Sequence, residues 1–264
     1  MNADSARALL GDLWDDDVAA AVERSPQASA ACVRLLKDPP SSIEDGLVGE
    51  SLAYADLQAG PEFARWLEER GAATPAPSPE PVLVERDGDH LTITLNRPET
   101  HNAVDVALRD ALVEALELVD ADPALTATLR GAGPSFCSGG DLREFGTFPD
   151  PGTAHAIRLE RLPARALAAV ADRVAARVHG YCVGAGAELA AFCHRVVADP
   201  GTTFRLPEVS MGLVPGQGGT VSIPRRIGPH RTAFFALSGA RLDVPTARRW
   251  GLVDEVVEDL PTMR

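Results

Sequence analysis

The chain has 264 residues, of which 45 % are hydrophobic, and its 25 basic and 38 acidic side chains give a net charge of −13. This length and apolar content fit one large globular domain, or one domain with an appendage, and exclude a mostly disordered polymer. The acidic balance, with Lys37 as the only lysine, argues against nucleic-acid binding and leaves arginine to make any contact with a ligand phosphate.

The cysteines and the hydropathy pattern indicate the compartment and the redox state. The cysteines form no CxxC pair and have no histidine at metal-ligand spacing, so we expect reduced thiols packed in the core: Cys32, Cys137, Cys182 and Cys193. The sequence shows neither a charged-then-apolar leader nor a run of about 18 apolar residues. We therefore expect a cytoplasmic protein that does not span a membrane.

The first 70 residues predict helices, because apolar side chains such as Leu9, Leu10 and Leu13 recur at helical spacing. No pattern among them indicates chemistry. Residues 71–81 hold four prolines among small residues and predict a semi-extended tether. We therefore divide the chain into a helical region (1–70), a Pro-rich linker (71–81) and a catalytic core (82–264).

The core predicts an α/β fold, since strand and helix patterns alternate along it. Residues 82–85 and 90–95, joined across Asp87-Gly88, predict a hairpin, and Asn102 is placed to cap a helix from residue 103 to about 120. Further strands are predicted at 125–130, 174–178, 195–198 and 203–205. Residues 218–257 predict short helices and a closing strand.

Two glycine-rich strand-to-helix turns, at residues 138–141 and 184–187, could present free backbone N–H groups to a ligand. The second turn opens a helix whose N-terminus carries partial positive charge. Two such donors on one carbonyl oxygen would form an oxyanion hole and stabilise an enolate. By themselves, glycine turns are more often only tight turns.

Glu188 and Glu208 lie in locally apolar sequence, the first in the opening turn of an Ala/Leu/Phe helix and the second after Leu206-Pro207. A desolvated carboxylate has a raised pKa, which suits proton transfer near neutrality. Taken singly, each glutamate is more often a helix N-terminal charge or a surface residue.

Other candidates near these turns favour structural roles. We predict that His101 and His179 are structural, and that Asp141 caps the helix after its loop rather than acting as a base. Cys137 and Cys182 are predicted to be packing residues.

Five sequence blocks follow one another in order: NRPETHNA at 96–103, FCSGGDL at 136–142, HGYCVGAGAEL at 179–189, LPE to PGQGGT within 206–220, and WGLVDEVV at 250–257. Together they resemble the crotonase (enoyl-CoA hydratase/isomerase) superfamily. The resemblance implies that Gly140 and Ala185 supply the oxyanion-hole N–H groups and that Glu188 and Glu208 are the acid–base pair. It also implies substrate-binding positions at Ser138, Asp141, Leu142, Pro207 and Gly212.

Gly216 stands where dehalogenase and dienoyl-CoA isomerase relatives carry an aspartate, which counts against those reactions. The resemblance implies no metal and no redox cofactor, because coenzyme A is part of the substrate. It also implies the crotonase-like ββα superhelix, a spiral with a helical lid and oligomerisation region, assembled as a homo-trimer or a dimer of trimers.

In the family, the helical lid region follows the strand that resembles residues 251–257. Here the segments that resemble it come first, at 25–37, 50–53 and 60–70. We therefore predict a circular permutation, in which the lid precedes the core and the linker ties it back. An unrelated helical extension is the alternative.

The function we expect is hydration of a 2-enoyl thioester, either of CoA or of a pantetheine-bearing carrier protein, to the 3-hydroxyacyl thioester. One glutamate would activate water for attack at C3 and the other would deliver a proton to C2. The alternatives are a double-bond isomerase with one glutamate as a shuttle, and a catalytically idle acyl-CoA-binding subunit.

Overall fold

The N-terminal part of the chain is helical, as predicted. The computed structural model describes residues 3–71, 79–148 and 150–257, so most of the predicted linker lies outside the described residues. The helices here are α1 (Ala3–Leu10), α2 (Asp16–Arg24), α3 (Pro26–Lys37), α4 (Ile43–Gln58) and α5 (Pro61–Arg70). Side chains of Asp15 and Ser42 cap α2 and α4, and prolines open α3 and α5, where a missing N–H costs nothing.

The rest of the chain alternates strands and helices. The strands are β1 (Val82–Asp87), β2 (His90–Leu95), β3 (Thr126–Gly131), β4 (Val174–Val178), β5 (Tyr181–Val183), β6 (Arg195–Ala198), β7 (Thr203–Arg205), β8 (Leu242–Asp243) and β9 (Glu255–Val256). The helices are α6 (Val106–Ala121), α7 (Pro151–Arg161), α8 (Pro163–Ala169), α9 (Ala185–Phe192), α10 (Gly219–Ile227), α11 (Pro229–Ser238) and α12 (Val244–Trp250).

The main sheet has the order β1-β2-β3-β4-β6-β9, and a small second sheet has the order β5-β7-β8. Among the described strands of the main sheet, the β1–β2 hairpin is antiparallel and the remaining neighbours are parallel. Parallel neighbours need crossover helices, which accounts for the alternation. None of the described helices is long and apolar enough to cross a membrane.

The predicted hairpin is confirmed, with Val82 opposite Leu95, and β4, β6 and β7 have the predicted bounds. The prediction that Asn102 caps the next helix is wrong. Asp105 caps α6 instead, by accepting a hydrogen bond from the Leu108 N–H at 2.8 Å. Asn102 has a φ of 57°, and its amide accepts from the Arg97 N–H at 2.7 Å and donates to the Ser135 carbonyl at 2.8 Å.

The N-terminal helices pack on the rest of the protein rather than on themselves alone. Helices α1 and α3 lie against α11, and α4 lies between α7 and α10. Their buried side chains, such as Leu10, Val33 and Leu47, belong to the same hydrophobic core as Ile93 and Leu129 of the sheet. Residues 3–70 therefore share one core with the strands, as their small size requires. That these helices correspond to a relocated lid stays a prediction.

The four cysteines are free thiols, and all are buried. Burial raises the pKa of Cys32, Cys137 and Cys193 to about 12 and that of Cys182 well above its ordinary value. A thiol with such a pKa is neutral and unreactive at neutral pH. The cysteines are therefore packing residues, as the sequence predicted.

Candidate active site

The two glycine-rich turns lie side by side. The segment after β3 runs parallel to the start of β5: the Cys137 N–H donates to the Tyr181 carbonyl at 2.9 Å, and the Val183 N–H donates to the Cys137 carbonyl at 3.0 Å. This pairing brings Gly140 and Ala185 to the wall of one cleft.

The N–H groups of Gly140 and Ala185 are both available to a ligand. Val104 bonds to the residues on either side of Gly140: it donates to the Gly139 carbonyl at 2.8 Å and accepts from the Asp141 N–H at 2.9 Å. Ala185 is the first residue of α9, where no intrahelical acceptor exists. Neither N–H has an acceptor among the described residues. The pair can therefore accept a carbonyl oxygen, and their oxyanion-hole role stays a prediction.

A buried arginine fixes the Gly140 turn. Arg97 is 1 % exposed, and its guanidinium lies 3.0 Å from the Asp105 carboxylate and 3.2 Å from that of Asp141, the residue after Gly140. Asp141 also accepts from the Arg143 N–H at 3.1 Å, so it caps the following turn as predicted. Arg97 carries no role in the sequence analysis, because a buried arginine differs from a surface arginine only in its tertiary partners.

Glu188 is buried in the first turn of α9 and is 1 % exposed. Its Oε2 accepts hydrogen bonds from the N–H groups of Gln217 at 2.7 Å and Gly219 at 2.8 Å. Burial raises the pKa of Glu188 well above its ordinary value, and the charges of Glu208 and Glu50 add to the rise. The Oε2 atom of Glu188 is thus held in place by two hydrogen bonds, while the raised pKa favours the protonated form of the side chain.

Glu208 begins a 3₁₀ turn (Glu208–Met211) and faces the same cleft. Burial raises its pKa to about 8, and the charge of Glu50 contributes to the rise. Its Oε2 is buried and has no hydrogen-bond partner among the described residues. Gly184 lets it approach the Ala185 turn, because a Cβ there would lie 2.5 Å from the Glu208 Oε1.

A third carboxylate, Glu50 of α4, lies beside this pair. It is 1 % exposed and accepts from the Gly218 N–H at 2.6 Å, the Thr220 N–H at 2.8 Å and the Thr220 hydroxyl at 2.7 Å. Glu188 and Glu50 therefore hold alternate N–H groups of residues 217–220, the segment that opens α10. Burial raises the pKa of Glu50 to about 7. Sequence analysis missed it, although its place among apolar residues at helical spacing was a usable signal.

We expect Glu50→Gln to lower the free energy of unfolding by about 1–3 kcal/mol, because an amide cannot accept at both positions and leaves a buried N–H unsatisfied. The segment that anchors Glu188 should loosen, so activity should fall as well. Urea unfolding at neutral pH measures the first effect. The control is Glu44→Gln, on the same helix but in an exposed pair with Arg165, which should change stability by less than about 1 kcal/mol. Equal losses in both variants would contradict the anchoring role.

Helices α4 and α7 contribute the remaining wall of the cleft, which encloses about 860 Å³ including its open mouth. Tyr54 and Gln58 come from α4, and Ile157, Arg158 and Arg161 come from α7. The Tyr54 ring occupies the space next to Gly216, where a Cβ would lie 2.4 Å from a ring carbon. An aspartate at position 216 would therefore need Tyr54 to move, in line with the sequence argument against the reactions that use one.

A sequence model of the enoyl-CoA hydratase/isomerase family matches residues 86–262. The chain belongs to this family. It is 36 % identical over 184 residues to the mevalonyl-coenzyme A hydratase of Aspergillus fumigatus, covering 69 % of this chain and 68 % of that protein. It is 35 % identical over 174 residues to the 1,2-epoxyphenylacetyl-CoA isomerase of Escherichia coli, covering 64 % and 66 %.

Among solved structures, the enoyl-CoA hydratase of Thermoplasma volcanium matches with a TM-score of 0.62 and 33 % identity, over 68 % of this chain and 72 % of that one. The α/β architecture is therefore the crotonase fold, as the sequence predicted. At the level of the family, this chain is an enzyme of enoyl-CoA hydration or isomerisation.

The substrate-binding residues implied by the family resemblance divide into two groups. Asp141 lines the cleft, whereas Ser138, Leu142, Pro207 and Gly212 lie outside its lining. The Ser138 hydroxyl donates to the Thr100 carbonyl at 3.1 Å, and Gly212 packs against Glu62 and Phe63. Any substrate contact of these four stays a prediction.

The two histidines of the motifs have structural partners in this enoyl-CoA hydratase/isomerase. His101 Nδ1 lies 2.9 Å from the Ser135 hydroxyl, and His179 Nε2 lies 2.8 Å from the Gly133 carbonyl. Neither histidine is among the residues that line the cleft.

The raised carboxylate pKa values predict that the protein loses stability as the pH rises. The folded state keeps protons on Glu50 and Glu208 up to about pH 7 and 8, whereas the unfolded chain releases them near its ordinary value of 4.5. Between pH 4.5 and these folded pKa values the folded state binds more protons than the unfolded chain. The stability that the bound protons provide is therefore complete below about pH 4.5 and is lost as the pH rises to the folded pKa.

For Glu208 alone, we expect the free energy of unfolding to fall by about 3 kcal/mol between about pH 6 and pH 9, since each unit below the folded pKa is worth about 1.4 kcal/mol. Urea unfolding across this range checks the slope, and Glu208→Gln should make it shallower. A Glu208→Gln variant with the wild-type slope would show that this carboxyl does not hold its proton.

Proposed function

We propose that this chain adds water across the C2–C3 double bond of a 2-enoyl-CoA thioester to form the 3-hydroxyacyl thioester. The observation that carries the proposal is a pair of carboxylates, the buried Glu188 and the half-buried Glu208, in one cleft with the free N–H groups of Gly140 and Ala185. A hydratase needs both an acid and a base. The charge of Glu208 raises the pKa of Glu188, so one carboxylate of the pair can hold a proton while the other is ionised, which supplies both.

In this mechanism the thioester oxygen accepts hydrogen bonds from the Gly140 and Ala185 N–H groups. These bonds strengthen as negative charge develops on the oxygen, so they stabilise the enolate more than the substrate. The ionised glutamate takes a proton from water as the water oxygen bonds to C3. The protonated glutamate gives its proton to C2, and the net change is the addition of one water.

The proposed reaction adds one water, with a C–O bond formed at C3 and a C–H bond at C2, without net oxidation or reduction. It calls for no metal or redox cofactor, and coenzyme A is part of the substrate. The raised pKa of Glu208 keeps an acid available up to about pH 8. We expect the turnover rate to decline above that pH as the acid loses its proton.

An assay with crotonyl-CoA tests the proposal. Hydration removes the conjugated enoyl absorbance and yields a product heavier by one water, which mass spectrometry detects. A 3-enoyl-CoA substrate tests the isomerase alternative, which the isomerase among the relatives makes the second candidate. Movement of the double bond without hydration would support an isomerase, and tight acyl-CoA binding without turnover of either substrate would support an idle binding subunit.

We further propose that residues 1–70 are the relocated helical lid of the family and that the protein assembles as a homo-trimer or a dimer of trimers. Two observations support the relocation: the family match begins only at residue 86, and Tyr54 and Gln58 of α4 line the cleft. Light scattering on the purified protein tests the assembly.

A further inference from the structure

Arg158 of α7 lines the active-site cleft next to the acid–base pair but makes no ion pair within the described residues. Its guanidinium carbon lies 3.7 Å from the centre of the Tyr54 ring. The Arg158 Nη1 atom is buried and has no hydrogen-bond acceptor among the described residues. The cleft thus contains a half-buried cation whose buried Nη1 donor is unused.

Such a group is costly unless something pairs with it, because a charge removed from water loses its hydration. The aromatic face of Tyr54 compensates in part through a cation–π contact. The carboxylates of Glu50 and Glu188 act on Arg158 through space, and neither forms an ion pair with it within the described residues. A ligand anion would supply the missing acceptor and the missing charge.

The position of Arg158 relative to the reacting atoms can be followed through contacts. A thioester oxygen held by Gly140 and Ala185 places C2 and C3 at Glu188 and Glu208. Glu188 anchors Gln217, and the Tyr54 ring packs on the neighbouring Gly216. Arg158 stacks on Tyr54 and lines the same cleft as the glutamates, so an acyl group that extends past them along this wall meets it.

A second unpaired group lies in the same wall. The Gln58 Oε1 atom is buried without a partner among the described residues, and Gln58 is one helical turn from Tyr54 on α4. Since an amide can present either its oxygen or its NH₂ group, Gln58 can add a hydrogen bond to an anionic or hydroxylated ligand. A purely hydrocarbon acyl chain would instead leave both polar groups buried and unsatisfied.

We propose that Arg158, supported by Tyr54 and Gln58, is a specificity-determining residue that binds a carboxylate at the distal end of the acyl group. The inference rests on the proposed function, because it takes the acyl thioester as the ligand. An arginine suits this role, since its planar guanidinium matches a carboxylate through two parallel hydrogen bonds.

Calorimetric binding of two unreactive ligands tests this without requiring turnover. The ligands are hexanoyl-CoA and the six-carbon acyl-CoA that carries a terminal carboxylate in place of the methyl group. We expect the wild-type protein to bind the carboxylate ligand at least about 10-fold more tightly. Arg158→Met should abolish that preference while changing hexanoyl-CoA binding little, and Arg158→Lys should keep part of it.

The matched control is Arg161→Met, which removes the same charge from the next turn of α7 in the same cleft. Any effect of this variant on affinity should be equal for the two ligands, because the substitution changes only the overall electrostatic potential of the cleft. A wild-type protein that binds both ligands equally, or prefers hexanoyl-CoA, would overturn the inference, and this result needs no variant to fold.

The same comparison, run with the corresponding 2-enoyl-CoA substrates, separates this inference from the proposed function. Turnover of both substrates without a carboxylate preference would remove the Arg158 subsite and leave the hydratase intact. A carboxylate preference in binding without hydration of either substrate would retain the subsite and remove the hydratase. Equal losses for both ligands in Arg158→Met would assign Arg158 a structural role.

Discussion

Replacing either Glu188 or Glu208 with glutamine is expected to lower turnover on the true substrate by at least about 100-fold, as for the loss of an acid–base group. Glutamine keeps the shape of the side chain but cannot carry a proton between water and C2. At Glu188 the amide oxygen can still accept from Gln217 and Gly219, which bond to a single oxygen, Oε2, in the native protein. The fold should therefore survive.

Steady-state kinetics with an enoyl-CoA substrate measures the loss, and urea unfolding and circular dichroism check the fold. Glu160→Gln is a suitable control, because this glutamate is exposed on α7 and lies outside the lining of the cleft. Near-wild-type turnover by a folded Glu188→Gln or Glu208→Gln variant would remove that residue from the mechanism.

Removal of residues 1–71 is expected to abolish soluble, active protein. The deletion strips a shared core, because Leu10, Val33 and Phe63 are buried with the apolar side chains of the sheet. It would leave the packed faces of α10 and α11 exposed, and large exposed apolar patches favour aggregation. It would also remove Glu50, which holds the segment that anchors Glu188.

Expression yield, light scattering and the crotonyl-CoA assay measure these effects. Co-expression of residues 1–71 as a separate chain is the informative control, since it should restore part of the activity if the helices complete the catalytic unit. A shortened protein that stays soluble, assembled and fully active would favour the alternative, an unrelated extension.

The sequence alone determined the fold class, the hairpin and most strand positions of this protein. It also identified the residues that meet at the cleft: Gly140, Ala185, Glu188 and Glu208. These predictions succeed because each depends on a short pattern, a strand period or a glycine turn, that acts over a few residues. Each of the five sequence blocks is weak evidence for the family by itself, and their order along the chain makes the resemblance specific.

Long-range contacts decided what local patterns could not. Asn102 is a residue type that often caps helices. Its backbone is left-handed, however, and its amide hydrogen-bonds to a loop more than 30 residues away instead of capping a helix.

The contacts of Glu50 and Arg158 could not be predicted from the sequence. Glu50 bonds to Gly218 across 168 residues, and Arg158 meets Tyr54 only because α7 packs on α4. Helical periodicity tells which face of a helix is buried but not which polar group of another helix it meets there. The pair of glutamates in the cleft was therefore predictable from the sequence, whereas only the tertiary structure decided what surrounds it.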